Sequence, residues 1–247
     1  MTTISEHSGS AQRRGRNENY VRWVEQVCRD DPGARSALRR GLGRGLDDVL
    51  YTRGMHRLVA RWLPAGGDTP VAEQRAYYAV ASLIAAQPRH TFTQHLSAEP
   101  AGQSDVDAPL VLDASDSAVL DVGDAEGREA PARRGESLGV AFALAVLKGG
   151  GGREMRLATA ETRLNLLTRQ SLDGIHRYLP SAVRFLRDAD APIDFARLLT
   201  DLADWPVRQG RISRRWLQDF YALQAKAATA AANAADVEEA QEPDQQQ

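Results

Sequence analysis

The sequence predicts an all-α fold, with two helical lobes joined by an acidic insert. Three observations carry this reading. Apolar residues recur at spacings of three and four along most of the chain, as one face of a helix requires. Almost nothing alternates with the period of two that a half-buried strand would show. Residues 97–136 break the helical pattern, holding ten acidic and three basic side chains and prolines at 100, 109 and 131.

Residues 1–17 are rich in Ser, Gly, Gln and Arg without an apolar period, and are expected to form a disordered tail. Tyr20, Trp23, Val24 and Val27 open the first helix of an N-terminal lobe covering 18–96. A second helix is predicted over Ala34–Arg40, before the glycines at 41, 43 and 45 weaken it. A third, near 53–63, turns Leu58, Val59 and Trp62 inward and stops at Pro64-Ala65-Gly66-Gly67. Thr69 and Pro70 read as N-cap and first residue of a helix reaching Gln87, with Tyr77, Ala81 and Ile84 inward. Pro88 stops it. The insert 97–136 offers one apolar run, Leu110-Val111-Leu112, with no period around it, so it reads as a disordered connection.

The C-terminal lobe covers 137–225 and starts with an almost wholly apolar helix from Ser137 to Leu147, expected at the centre of its core. Gly149–Gly152 makes a turn. The next helix, near 153–169, places Leu157, Ala160, Leu164 and Leu167 on one face. Ser171 then caps a helix carrying Leu172, Ile175 and Leu179, and Pro180 is expected to begin a separate segment with Val183 and Leu186. Asp194 caps a helix with Phe195, Leu198, Leu199 and Leu202 inward, ending near Trp205-Pro206. Ser213 is expected to cap the last helix, whose core face is Ile212, Trp216, Phe220 and Leu223. Residues 226–247 are read as a disordered acidic tail.

The formal net charge of -2 hides an asymmetry. With the insert and residues 222–247 set aside, the other 181 residues carry about +9, a bias that favours a polyanionic partner. Cys28 is the lone cysteine, so no internal disulfide framework exists, as expected of a cytoplasmic protein. No apolar run reaches the roughly 20 residues of a membrane helix, and the N-terminus lacks a signal-peptide core, so no membrane contact is expected.

Arginines at helical spacing are the candidate functional residues. Arg156 and Arg163 are seven apart, Arg177 and Arg184 repeat that spacing, and Arg187 follows on the same surface. Arg39 and Arg40, with Arg35 and Arg44, form a second cluster. A row of guanidinium forks can follow a phosphodiester backbone. The same residues also fit a solvated face with scattered ion pairs. Arg214 and Arg215, opposite Trp216, fit the wet face of the last helix. The few aromatics, Trp23, Trp205, Trp216 and Phe220 among them, fall on core faces, so base stacking is not expected.

Catalytic patterns are missing. His90 and His95 have no second Cys or His-Glu-x-x-His partner to complete a zinc site, and His56 and His176 stand alone on helices. Gly149–Gly152 follows Lys148 instead of preceding a Lys-Ser/Thr pair, and Gly41-Leu42-Gly43-Arg44-Gly45 has no strand before it. Asp201 and Asp204 read as exposed carboxylates on one helix face. No cofactor or metal is expected, and no enzymatic activity.

An ordered set of marks carries a family resemblance. Ala34-Arg35-Ser36-Ala37-Leu38-Arg39-Arg40-Gly41-Leu42 and Ala76–Ala85 lie in the first lobe. Ser137-Leu138-Gly139, Glu161-Thr162-Arg163-Leu164, Leu167 and Arg169 follow in the second. Then come Leu179-Pro180, Val183, Arg184, Leu186-Arg187, Ile193-Asp194-Phe195, Leu198-Leu199, Leu202, Trp205 and Asp219-Phe220. Together they cover about 150 of the 247 residues. This order resembles the CasB family, the small subunit of the type I-E CRISPR Cascade complex. Val140 stands where that family usually has an arginine after Ser-Leu-Gly, and the acidic insert exceeds the usual connection.

The resemblance implies a non-catalytic subunit that binds nucleic-acid backbone and stabilises an R-loop. It implies other Cascade subunits, guide RNA and target DNA as partners, with two copies packed head to tail. The backbone contacts it favours are Arg163, Arg169, Arg177, Arg184 and Arg187, then Arg39 and Arg40. The rival reading is a helical protein–protein adaptor without direct nucleic-acid contact.

Overall fold

The computed structural model describes residues 3–63, 69–88, 136–148 and 157–241. The insert, with Leu110–Leu112, and also His90, His95, Gly149–Gly152, Arg153 and Arg156 lie outside the described residues. Eight α-helices and one short 3-10 turn make up the described fold, with no strand among the described residues. The helices are α1 (Thr3–Asp30), α2 (Pro32–Arg40), α3 (Val49–Val59), α4 (Val71–Ala85), α5 (Leu138–Leu147), α6 (Leu157–Thr168), α7 (Leu172–Asp188) and α8 (Phe195–Gln241). The turn, Ala60–Trp62, extends α3. No described helix is long and apolar enough to cross a membrane.

The kinked helix α8 is the hub. It packs on α5 and α6 and also on α1 and α4. Helices from both halves of the chain thus contribute to one buried cluster, which includes Trp205, Trp216, Phe220 and Phe142 as well as Tyr20, Tyr77, Leu38 and Ile84. The closest approach is between α5 and α8. A β-carbon built on Gly139 would stand 1.9 Å from the Trp216 carbonyl oxygen, so only glycine lets the two backbones meet. Ser137 reinforces the crossing by donating its hydroxyl to Asp219 at 2.5 Å. It makes no N-terminal cap bond within α5. Ser137-Leu138-Gly139 is thus a docking element for α8.

Below this crossing lies a buried ionic group. Asp201, expected to be exposed, is only 3% accessible. It accepts hydrogen bonds from Trp216 Nε1 at 2.8 Å and Arg215 at 2.6 Å, and pairs with Arg197 at 3.4 Å. Burial pushes its carboxyl up from the usual range, against the pull of Arg215, Trp216 and Arg197. Arg215 therefore belongs to the interior network, and of the pair only Arg214 is fully on the wet face.

Several sequence expectations need correction. The first helix starts at Thr3, well before Tyr20, so much of the expected tail is helical. Polar contacts hold it: Asn17 donates to Thr200 at 2.9 Å and accepts from Tyr77, Arg13 pairs with Asp204 at 2.7 Å, and Arg16 donates to the Trp62 carbonyl at 2.9 Å. Pro70 occupies the N-cap of α4 in place of Thr69. Helix α7 runs unbroken through Pro180, where a new segment was expected. Ser171 accepts from Gly174 N and Asp194 from Arg197 N, as their capping roles require.

Residues 195–241 form two helical arms that meet at a break at Arg208 (φ -124°, ψ 16°), two residues past Pro206 and close to the expected end near Trp205-Pro206. The second arm begins before Ser213, which therefore does not cap it. Trp205 Nε1 and Gln209 Nε2 donate to the Gln170 carbonyl at 3.0 and 2.9 Å, and the Ser213 hydroxyl donates to the Thr168 carbonyl at 3.0 Å. These bonds satisfy the end of α6 and fix the bend. Beyond Gln224, which donates to the Ala143 carbonyl at 3.1 Å, α8 continues to Gln241, so residues 226–241, expected to be disordered, are helical, and the alanine-rich stretch up to Ala234 is largely exposed. High alanine propensity sustains a helix that is already nucleated.

His176 lies buried where α7 meets α4, its Nε2 without a hydrogen-bond partner. Burial foremost, then the Arg75 guanidinium, lowers its pKa to about 3, with Asp173 opposing. Arg75 also pairs with Asp173 across the two helices and holds that carboxyl below its usual range.

Two predictions follow from this packing. Trp216 and Phe220 are both 0% exposed. Truncating either to Ala should cost about 3–5 kcal/mol in denaturant unfolding. A loss below about 1 kcal/mol would show that the α5–α8 contact is peripheral. The second concerns acid. His176 is neutral in the fold, whereas an unfolded histidine protonates near 6.5. Its depressed pKa means that stability is fully present above pH 6.5 and is lost as pH falls toward 3. Moving from pH 7 to 5 should cost about 2 kcal/mol through this group. His176→Leu should flatten that slope, and an unchanged slope would contradict the assignment.

Candidate nucleic-acid interface

One loop contact links the chain just after Arg39 and Arg40 to the helix that carries Arg177 and Arg184. After α2 the chain turns at Gly43, whose φ of 72° is in the left-handed region. Gly43 lies against Pro180 of α7, where a β-carbon built on the glycine would stand 3.9 Å from the proline ring. Pro180 shares a helix face with Arg177 and Arg184, three residues before and four after it. The α2–α3 loop therefore meets the very face of α7 that carries those two arginines.

The sequence-selected arginines then divide by environment. Arg39 and Arg40 end α2 and are exposed, as are Arg177 and Arg184 on α7 and Arg169 just after α6. Arg184 has a 3.9 Å pairing with Asp188, but its side chain remains 76% accessible, so this pair is weakly held. Arg163 and Arg187 are committed to packing. The Arg163 guanidinium stacks over the Phe185 ring at 3.9 Å, tying α6 to α7. Arg187 donates to the Ala86 carbonyl at 3.3 Å and pairs with Asp188 at 3.2 Å.

Arg35 reaches the same end of α4, donating to the carbonyls of Ala85 at 3.1 Å and Gln87 at 2.5 Å. Arg35 and Arg187 thus satisfy carbonyls at the negative end of the α4 dipole. Arg44 pairs with Asp48 at 3.6 Å.

Sequence inspection passed over a further basic row. Arg53, Arg57 and Arg61 follow one another at intervals of four on α3 and its 3-10 extension, and all are exposed. The interval of four was a readable signal. Gly54 of α3 abuts Ala37 of α2, so this row runs beside the helix that ends in Arg39 and Arg40. His56, on the same helix, meets the Tyr78 hydroxyl at 2.6 Å.

Among the described residues, no group of three or more His, Cys, Asp or Glu side chains is placed to hold a metal ion. Buried Cys28, whose thiol burial raises to about 12, is inert as a nucleophile near neutral pH. The arrangement offers planar donors on an exposed surface, the chemistry that contacts phosphate oxygens.

Known proteins share this architecture. The family model for CRISPR-associated protein Cse2 matches residues 34–221. A chain of a solved "CRISPR RNA-guided surveillance complex, pre-nicking" is 31% identical, with 88% of this chain and 98% of that chain covered and a TM-score of 0.66. A chain of a second "CRISPR RNA-guided surveillance complex" is 30% identical, with coverage of 89% and 99% and a TM-score of 0.65. The crystal structure of M. ruber CasB has the same fold at 20% identity, with coverage of 87% and 97% and a TM-score of 0.59. Comparison with curated proteins finds no match. With its family model spanning residues 34–221 and its fold shared with these structures, the chain belongs to the CRISPR-associated Cse2 (CasB) family.

Proposed function

We propose that this chain is a non-catalytic small subunit of a type I-E Cascade complex that holds nucleic-acid backbone and so stabilises the R-loop during target recognition. The observation that carries the reading is the seating of Gly43 on Pro180, which brings the loop that follows the exposed Arg39 and Arg40 onto the face of α7 that carries the exposed Arg177 and Arg184. Exchanging a DNA duplex for an RNA–DNA hybrid is nearly balanced in energy, so a few phosphate contacts suffice to tip it. Such contacts read little sequence. The relatives solved within RNA-guided surveillance complexes support assembly with guide RNA and other Cascade subunits, and the family resemblance supports a head-to-tail pair of copies.

The exposed arginines and the packed ones should behave differently. Replacing Arg39, Arg40, Arg177 and Arg184 by Ala in an assembled complex should weaken target-DNA binding. Each lost phosphate contact should lower the slope of log affinity against log salt by about one unit. Arg163→Ala and Arg187→Ala should instead lower the melting temperature of the subunit and leave the slope nearly unchanged. An unaltered affinity and slope in the quadruple variant, with subunit composition verified, would contradict the proposal. Failure of that variant to assemble would favour the adaptor reading.

A further inference from the structure

A cleft of about 320 Å³ opens between α1, α2 and α3, at the far end of α2 from Arg39 and Arg40. Its apolar floor is Trp23, Val27, Ala34 and Leu58. Trp23, expected on a core face and so unavailable for base stacking, is instead half-buried at the edge of the core, packed beside Tyr20 and Trp62. The Arg61 guanidinium stacks over its ring at 4.3 Å. Arg57 borders the cleft from the same side and, like Arg61, is exposed.

Gln26 and Asp30 face them from α1, both exposed. Asp31 is already committed, its carboxylate accepting from Gly33 N at 2.8 Å and Ala34 N at 2.9 Å to start α2. The cleft therefore combines a stacked aromatic–guanidinium platform, two cations on one wall, and a carboxylate with an amide on the other.

We propose that this cleft takes one unpaired nucleotide of the bound nucleic acid. The base stacks on the Trp23–Arg61 platform, its phosphate meets Arg57, and Asp30 accepts a hydrogen bond from an exocyclic amino group. Aromatic rings and guanidinium planes are the surfaces on which proteins hold splayed bases. A carboxylate accepting from a base amino group favours cytosine over thymine, which lacks the donor. The row Arg53, Arg57 and Arg61 leads toward the cleft from the α2–α3 loop, where Gly43 meets α7. This inference rests on the nucleic-acid reading above and adds to it a single point of base selection.

The test uses the full-length chain at low salt with three single-stranded probes of equal length: oligodeoxycytidine, oligodeoxythymidine and an abasic phosphodiester. The wild-type chain should bind oligodeoxycytidine about tenfold more tightly than the abasic probe. Trp23→Leu should bring it down to the abasic affinity while leaving the abasic probe unaffected. Asp30→Asn, an exposed change that keeps the fold, should abolish the preference for cytosine over thymine. Equal wild-type affinity for base-bearing and abasic probes would overturn the cleft, and so would equal losses on both probes in Trp23→Leu. Absence of binding to any probe would also overturn it. The salt slope of the assembled complex judges the phosphate path separately.

Discussion

The contact that the rest of the fold depends on is the crossing of α5 and α8 at Gly139 and Trp216. No side chain fits there, so the two helices meet backbone to backbone. Trp216 turns its ring inward and donates to Asp201, which is also held by Arg215 and Arg197. A buried carboxylate in this position adds little net stability, because its desolvation offsets the attraction of its partners. Removing one partner is costly, since a buried charge then goes unmatched. The group therefore fixes where the two arms of α8 lie relative to each other, and with them the surfaces of α1, α4, α5 and α6 that pack on α8.

That constraint reaches the basic surface by short steps. Helix α4 packs on α8 and ends where Arg35 and Arg187 take its last carbonyls, one from α2 and the other from α7. Those two arginines set the spacing of α2 and α7, and Gly43 closes the gap on Pro180. What is left exposed is Arg39, Arg40, Arg177 and Arg184. Arginines of similar sequence context thus serve opposite purposes: some satisfy the interior so that others can face solvent. The guanidinium suits both, being planar, always charged and a fork of donors.

The all-α class and most helix cores were legible, because apolar periodicity reports burial directly. Trp216, Phe220, Leu164 and Tyr77 lie where their spacing put them. The early start of α1 was not legible, since Asn17, Arg13 and Arg16 anchor it through polar contacts with partners distant in sequence. Neither was the continuity of α7 through Pro180, where packing outweighs a proline's local preference. The break beside Trp205-Pro206 was legible, but not the start of the second arm of α8 ahead of Ser213, whose hydroxyl goes to the Thr168 carbonyl. The division of the arginines was invisible for the same reason. Arg163 and Arg184 look alike in sequence, and only the position of Phe185 and the α4 carbonyls separates packed from exposed residues.

The central claim is that the face of α7 beside the α2–α3 loop lies along nucleic acid. Ser181, exposed between Arg177 and Arg184, provides a direct probe of it. A photoreactive amino acid placed at position 181 should, in an assembled complex bound to target DNA, crosslink to nucleic acid on irradiation. The yield should fall when Arg177 and Arg184 are replaced by Ala. Crosslinks only to neighbouring protein subunits, with none to nucleic acid, would contradict the account.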